Sequence, residues 1–204
     1  MKYIKLVSIA LALCAPSLVY PADTVLTSGM FSLGQIKIGA TTMDEAEQML
    51  GPSEPFRSEK NDESPLSICY AVESPKGNFF VLLESGAAGG FKRITGFSIS
   101  KANPKHTCGH LQAATESVLP ANGVEIGDSR ARFEKRFIVK FTHHGSNLSY
   151  ESESAREPSA EELENLKKMW PNEKSYRLDV TVRVSAHFDS DKLTSYTVSK
   201  VESY

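Results

Sequence analysis

Hydrophobic and polar positions alternate most cleanly in the last third of the chain, where Leu178, Val180, Val182 and Val184 interleave with Asp179, Thr181, Arg183 and Ser185. A period of two predicts a strand with one covered face and one polar face. Shorter runs of β-branched and aromatic residues predict strands near 56–59, 66–73, 78–84 and 93–100, and again near 137–143, 148–153, 176–188 and 193–202. Pro75-Lys76-Gly77 and the glycine-rich stretch 86–90 read as turns between them, the second having no following helix and so no means of cradling a phosphate.

Helical periodicity is confined to short segments. Thr41 stands as the N-cap of a helix carrying Ala46, Met49 and Leu50, stopped by Gly51-Pro52. A helix is also expected to begin near Cys108, with Cys108, Leu111, Thr115 and Val118 on its apolar face. Ser129 caps a further short helix that includes Phe133. Ser159 and Glu162 form a capping box ahead of a stripe of Leu163, Leu166 and Trp170, bounded by Pro171.

Three groups of residues recur in the same order. Ile38-Gly39 followed by Thr41 matches Ile126-Gly127 followed by Ser129; Ile68, Tyr70, Glu73 and Ser74 match Leu148, Tyr150, Glu153 and Ser154; and 97–101 match 196–200. The pattern predicts an α+β chain of two tandem copies of a helix plus a four-stranded antiparallel meander, with the helices packed on one sheet face. The first copy spans 23–102 and the second 103–204, with an inserted helical arm over 155–175. Only the second copy carries that arm, and with it the single tryptophan, Trp170.

At these residues the chain resembles the tandem-domain β-lactamase inhibitor proteins and the related unit of small outer-membrane assembly lipoproteins. In that superfamily an apolar-Gly-x-Ser/Thr step opens a helix ending in Leu-Gly-x-Pro. Ile38-Gly39-Ala40-Thr41 and Leu50-Gly51-Pro52 fit this pattern with one residue more inside the helix and one fewer before the proline; Ile126-Gly127-Asp128-Ser129 keeps the opening without the Gly-Pro stop. The resemblance implies a protein-binding function and, for a loop at the second hairpin of the unit, where the arm 155–175 is inserted, a plug for an enzyme cleft.

Composition narrows the partners. With 23 basic and 25 acidic residues the formal charge is −2, which leaves no basic footprint for a nucleic-acid backbone. Lys2 and Lys5 precede the apolar run 6–15, an export leader too short to span a bilayer, with cleavage expected after Ser17 and Ala22 as a second exit. No later stretch is apolar enough for stable membrane insertion, so a periplasmic or secreted product is expected. Loss of the leader removes Cys14 and leaves Cys69 and Cys108, an even number suited to one disulfide in an oxidising compartment. The alternation His106, Cys108, His110 offers a rival metal reading, which the expected helix at Cys108 disfavours.

The chemistry of catalysis is not legible. His106, His110, His143, His144 and His187 have no nucleophile at a recognisable spacing, and no Gly-x-Ser-x-Gly elbow, phosphate loop or His-Glu-x-x-His helix occurs. The acids Glu151, Glu153, Glu157, Glu161, Glu162 and Glu164 read as a solvated face. No catalytic residue, metal or cofactor is therefore assigned. The expected function is an exported, non-enzymatic module that binds another protein, as an inhibitor or an immunity protein against an enzyme or toxin, with a structural or assembly factor of the cell envelope as the alternative. The partner-binding candidates are Trp170 and Leu166 on the arm, and Arg177, Arg183 and His187 on the polar sheet face with Tyr196 from the next strand.

Overall fold

The computed structural model describes residues 28–57, 64–86, 90 and 92–204; the leader and both cleavage positions lie outside the described residues. After a 3-10 turn at Ser28–Phe31, β1 (Ser32–Leu33) and β2 (Ile36–Lys37) form a small hairpin that leads into α1 (Met43–Leu50). Then come β3 (Phe56–Arg57), β4 (Leu66–Val72), β5 (Phe79–Ser85), β6 (Gly96–Ser100) and β7 (Gly109–His110). A 3-10 turn at Thr115–Val118 precedes α2 (Arg130–Arg136), β8 (Thr142–His144), β9 (Asn147–Arg156), α3 (Ala160–Met169), β10 (Leu178–Asp189) and β11 (Lys192–Ser203).

All strands from β3 onward belong to one nine-stranded sheet in the order β3-β4-β5-β6-β11-β10-β9-β8, antiparallel throughout except for β7, which pairs in parallel with β4. This corrects the expected α+β architecture of two helix-plus-four-strand copies with helices packed across one sheet face. The described residues are mostly β, and the three α-helices among them, of eight, seven and ten residues, are too short to cover so wide a sheet. The runs 97–101 and 196–200, which look like equivalents, contain hydrogen-bonded neighbours: Ile99 faces Tyr196 and Phe97 faces Val198 where β6 meets β11. Pairing at that seam makes the sheet continuous.

Two glycines set the approach to α1 and α2. Gly39 (φ +81°) and Gly127 (φ +92°) lie in the left-handed region, which a side chain disfavours. Their N–H groups donate to the carbonyls of Ile94 (2.7 Å) and Leu193 (2.8 Å), and the N–H groups of those residues donate back to Thr41 (2.9 Å) and Asp128 (2.8 Å). Ser129 then caps α2 as expected. In α1 the cap falls one residue later than expected: Thr42 and Glu45 form the capping box, while the Thr41 hydroxyl accepts from the Lys37 N–H at 2.9 Å.

The helix expected from Cys108 is absent. That segment is extended, with Gly109 opposite Tyr70 and His110 opposite Ala71. A disulfide between Cys108 and the buried Cys69, with Cα atoms 4.7 Å apart, pins it to β4. Cys108 is thereby withdrawn from any metal set; His106 stacks on Phe56 with ring centroids 3.9 Å apart, and His110 is exposed. Among the described residues no helix is long and apolar enough to cross a membrane.

The core lies on one face of the sheet. Ile68 and Tyr70 of β4, Val81 and Leu83 of β5, Phe97 and Ile99 of β6 and the alternate valines of β10 point into it. Phe133 of α2 is its hub: its ring lies 4.8 Å from Phe137, 5.6 Å from both Phe141 and Phe188, and 5.9 Å from Tyr196. Such tilted and edge-on pairs add to the burial of the rings themselves.

Candidate partner-binding face

The opposite face is formed by the residues that alternate with the core. Strand register lays them out in transverse rows. One row runs Phe80, Ser100, Ser195, His187, Asn147 across β5, β6, β11, β10 and β9; the next runs Leu82, Ser98, Thr197, Ser185, Ser149; a third runs Glu84, Gly96, Ser199, Arg183, Glu151. The middle of this face, on β6 and β11, is a carpet of short hydroxyl side chains. On β5 it is flanked by half-buried Phe80 and Leu82, and on β10 by exposed Arg183 and His187. The result is a shallow trough, part of which is a depression of about 210 Å³ between Asn147, Ser149, Ser185, His187, Ser195 and Thr197.

Each long side chain at the flank is held by a neighbour. Arg183 Nη2 donates to Glu151 Oε1 at 2.9 Å, and that hydrogen bond, with the guanidinium charge, keeps the Glu151 carboxyl below the ordinary carboxylate range. The His187 Nδ1 sits 2.8 Å from Asn147 Oδ1. Across the trough, burial pushes the Glu84 carboxyl above its usual range. These arrangements orient the flanking side chains, and the Ser146 hydroxyl also lies 3.5 Å from His187 Nδ1.

The candidate residues do not form one site. Arg183 and His187 lie on the trough. The Tyr196 side chain does not, although the residue borders the depression: it is opposite Ala186 and Ile99, faces the core, and is only 2% exposed. Its hydroxyl therefore cannot reach a partner on the polar face, and its side chain packs edge-on against Phe97 at 6.0 Å.

Leu166, Trp170 and Arg177 gather at the other end of the long strands. β10 and β11 are twelve residues each, ~40 Å at about 3.3 Å per residue, so this end is remote from His187. Leu166 is buried and serves to seat α3 rather than to meet a partner. Trp170, which ends α3, is half exposed; its ring lies 6.0 Å from that of Tyr204, beside exposed Met169. Arg177 makes a loose surface pair with Glu157 at 3.8 Å. Phe80, Leu82 and the hydroxyl carpet were missed by sequence reasoning. Their signal is the polar half of the alternation in 78–84 and 93–100, which has no meaning until β6 and β11 are known to be neighbours.

No family model matches the chain, and neither a curated protein nor a solved structure matches it.

Proposed function

We propose that the chain is an exported, non-enzymatic protein-binding module that inhibits or neutralises a partner enzyme or toxin in the periplasm, and that the partner seats a projecting loop in the trough of the sheet. The observation that carries this is the low carpet of Ser98, Ser100, Ser195, Thr197 and Ser199 between flanks of apolar and charged residues. Short hydroxyl side chains lose little rotamer freedom when covered, and they can donate to or accept from the backbone of an incoming loop. Phe80 and Leu82 supply apolar surface, while Arg183 and His187 supply orientation. The Cys69–Cys108 disulfide agrees with an oxidising compartment.

The test begins with a stoichiometric partner isolated from the envelope of the native cell and an assay of that partner's own activity. Thr197→Arg, which stands a long charge in the middle of the trough, is expected to weaken binding by more than about thirtyfold and release the inhibition. Arg183→Ala with His187→Ala is expected to weaken it about tenfold. Unchanged affinity in Thr197→Arg would remove the trough as the docking face.

A further inference from the structure

β9 pairs with β10 along its whole length, Asn147–Arg156, but with β8 only over Asn147–Ser149. β8 reaches no further because Phe141, the residue before it, turns into the core beside Tyr150, with ring centroids 6.3 Å apart. Among the described residues no strand pairs with the outer side of 150–156. The other end of the sheet is finished differently. There β4 is flanked by two short strands, β3 beside Leu66 and Ser67 and the disulfide-held β7 beside Tyr70 and Ala71.

Register shows which backbone groups are left open. The Phe188 N–H donates to the Ser146 carbonyl at 2.9 Å, and β9 and β10 keep one register from there to Arg156. Ladder bonds alternate along an antiparallel strand, so the even-numbered residues of β9 face β10 and the odd-numbered ones face outward. The N–H and C=O groups of Glu151, Glu153 and Ala155 therefore form an open row, and their exposed side chains stand on the trough side of the sheet. No proline and no bulge interrupts it.

Charge selects what can add to this row. Arg183 is engaged by Glu151, while Glu153 and Asp179, the residue opposite Ala155, have no ion-pair partner among the described residues. A second copy of the chain, paired antiparallel about Glu153, sets that carboxylate against its own equivalent, and like charges directly opposite are destabilising.

We propose that the outer edge of β9 is a docking site for an extended, basic segment of another protein, which adds as a further antiparallel strand beside 150–156 and sets lysine or arginine side chains opposite Glu151 and Glu153. Main-chain hydrogen bonds to Glu151, Glu153 and Ala155 supply affinity, and the carboxylates supply selection. The edge lies two strands from Thr197 in the middle of the trough, so this inference and the docking reading stand or fall independently.

The experiment is a titration of the whole protein at low salt with a capped heptapeptide of alternating lysine and valine, followed by amide shifts and amide exchange in NMR. The expected result is saturable shifts along 150–156, with exchange slowed at Glu151, Glu153 and Ala155. The same peptide N-methylated at its lysines keeps the charge but loses the donors that face β9, and is expected to bind at least about tenfold weaker. A glutamate-valine heptapeptide is expected not to bind. Ala155→Pro removes one outward N–H without changing charge and is expected to weaken the lysine peptide about fivefold, because proline is tolerated on an edge whose N–H faces solvent. Glu153→Gln is expected to weaken it about threefold. The proposal is overturned by the lack of saturable shifts, by shifts confined to other residues, by equal affinity of the N-methylated peptide, by equal affinity of the glutamate peptide, or by a dimer of the free protein in sedimentation whose exchange is slowed along 150–156. Thr197→Arg should leave the affinity for the lysine peptide within about twofold of wild type, which separates failure here from failure of the trough.

Discussion

Arg156 of β9 and Glu162 of α3 meet through two hydrogen bonds, Nη1 to Oε2 at 2.9 Å and Nη2 to Oε1 at 2.7 Å. The same guanidinium contacts Glu202 of β11, which also pairs with Lys200 at 2.8 Å. One arginine thus ties the helical arm to two strands. A bidentate pair of this kind is among the stronger surface interactions because the planar fork is ordered in advance. The Glu162 carboxylate closes the capping box as well, accepting from the Ser159 N–H at 2.7 Å. The Arg156 hydrogen bonds, with the cap, hold its pKa at about 2.

That depressed value sets a pH dependence. A carboxyl that titrates at about 2 in the folded chain and near 4.3 when unfolded binds fewer protons when folded. Its contribution is therefore complete above about pH 5 and is lost as the pH falls toward 2. Burial opposes ionisation of Glu202, but hydrogen bonds from Arg156 and Lys200 outweigh it, so Glu202 shifts in the same direction. Glu162→Gln is expected to cost about 1–2 kcal/mol at pH 6. Its deficit relative to wild type should shrink between pH 5 and pH 3 in urea titrations. A deficit that does not change with pH would mean that neither the Arg156 pair nor the cap acts through the ionised carboxylate.

Phe133→Ala is expected to destabilise the chain by about 3–5 kcal/mol, because four rings lose their common neighbour and the helix that carries it is only seven residues long. Chemical denaturation with an unchanged m-value checks it. A cost below about 1 kcal/mol would mean that Phe137, Phe141 and Phe188 close over the gap.

Removal of the disulfide in a Cys69→Ser, Cys108→Ser variant is expected to cost roughly 4 kcal/mol, as the chain-entropy model gives for a separation of 39 residues. The native protein should show no free thiol at these two positions on alkylation and mass measurement. Amide exchange in the variant should rise first at Gly109 and His110, whose two-residue parallel strand has little else to hold it.

How far the sequence reaches can be judged from particular residues. Leu178 to Ser185 show their two faces directly, because each side chain's burial follows from a period of two within one strand. The caps at Ser129 and Ser159, and the disulfide, were legible for the same reason: each depends on local chemistry or on a count. Thr41 and Thr42 are chemically alike, and only the Lys37 N–H, reached through the β1–β2 hairpin, decides between them. Tyr196 reads as a residue of the strand beside Arg183 and His187, but its face depends on pairing that the sequence does not give. The register shift between His187 and Phe188 disturbs alternation at this end of the hairpin: Leu193 and Tyr196 are both buried although three apart. Pairing across the sheet, which no single segment encodes, decided both the trough and the architecture.

The position of β11 has a consequence for the order in which the molecule can be made. It lies between β6 and β10 and joins them, yet it is C-terminal to every other strand of the sheet. On a ribosome, which delivers the chain from its N-terminus, β3 to β6 and β8 to β10 emerge as two pieces with unsatisfied edges. They have no hydrogen-bonded link until residues 192–203 follow. Until then the backbone groups of β6 and β10 are open to strands of other molecules. A holding chaperone should engage the nascent chain over this interval and release it once the middle strand is inserted.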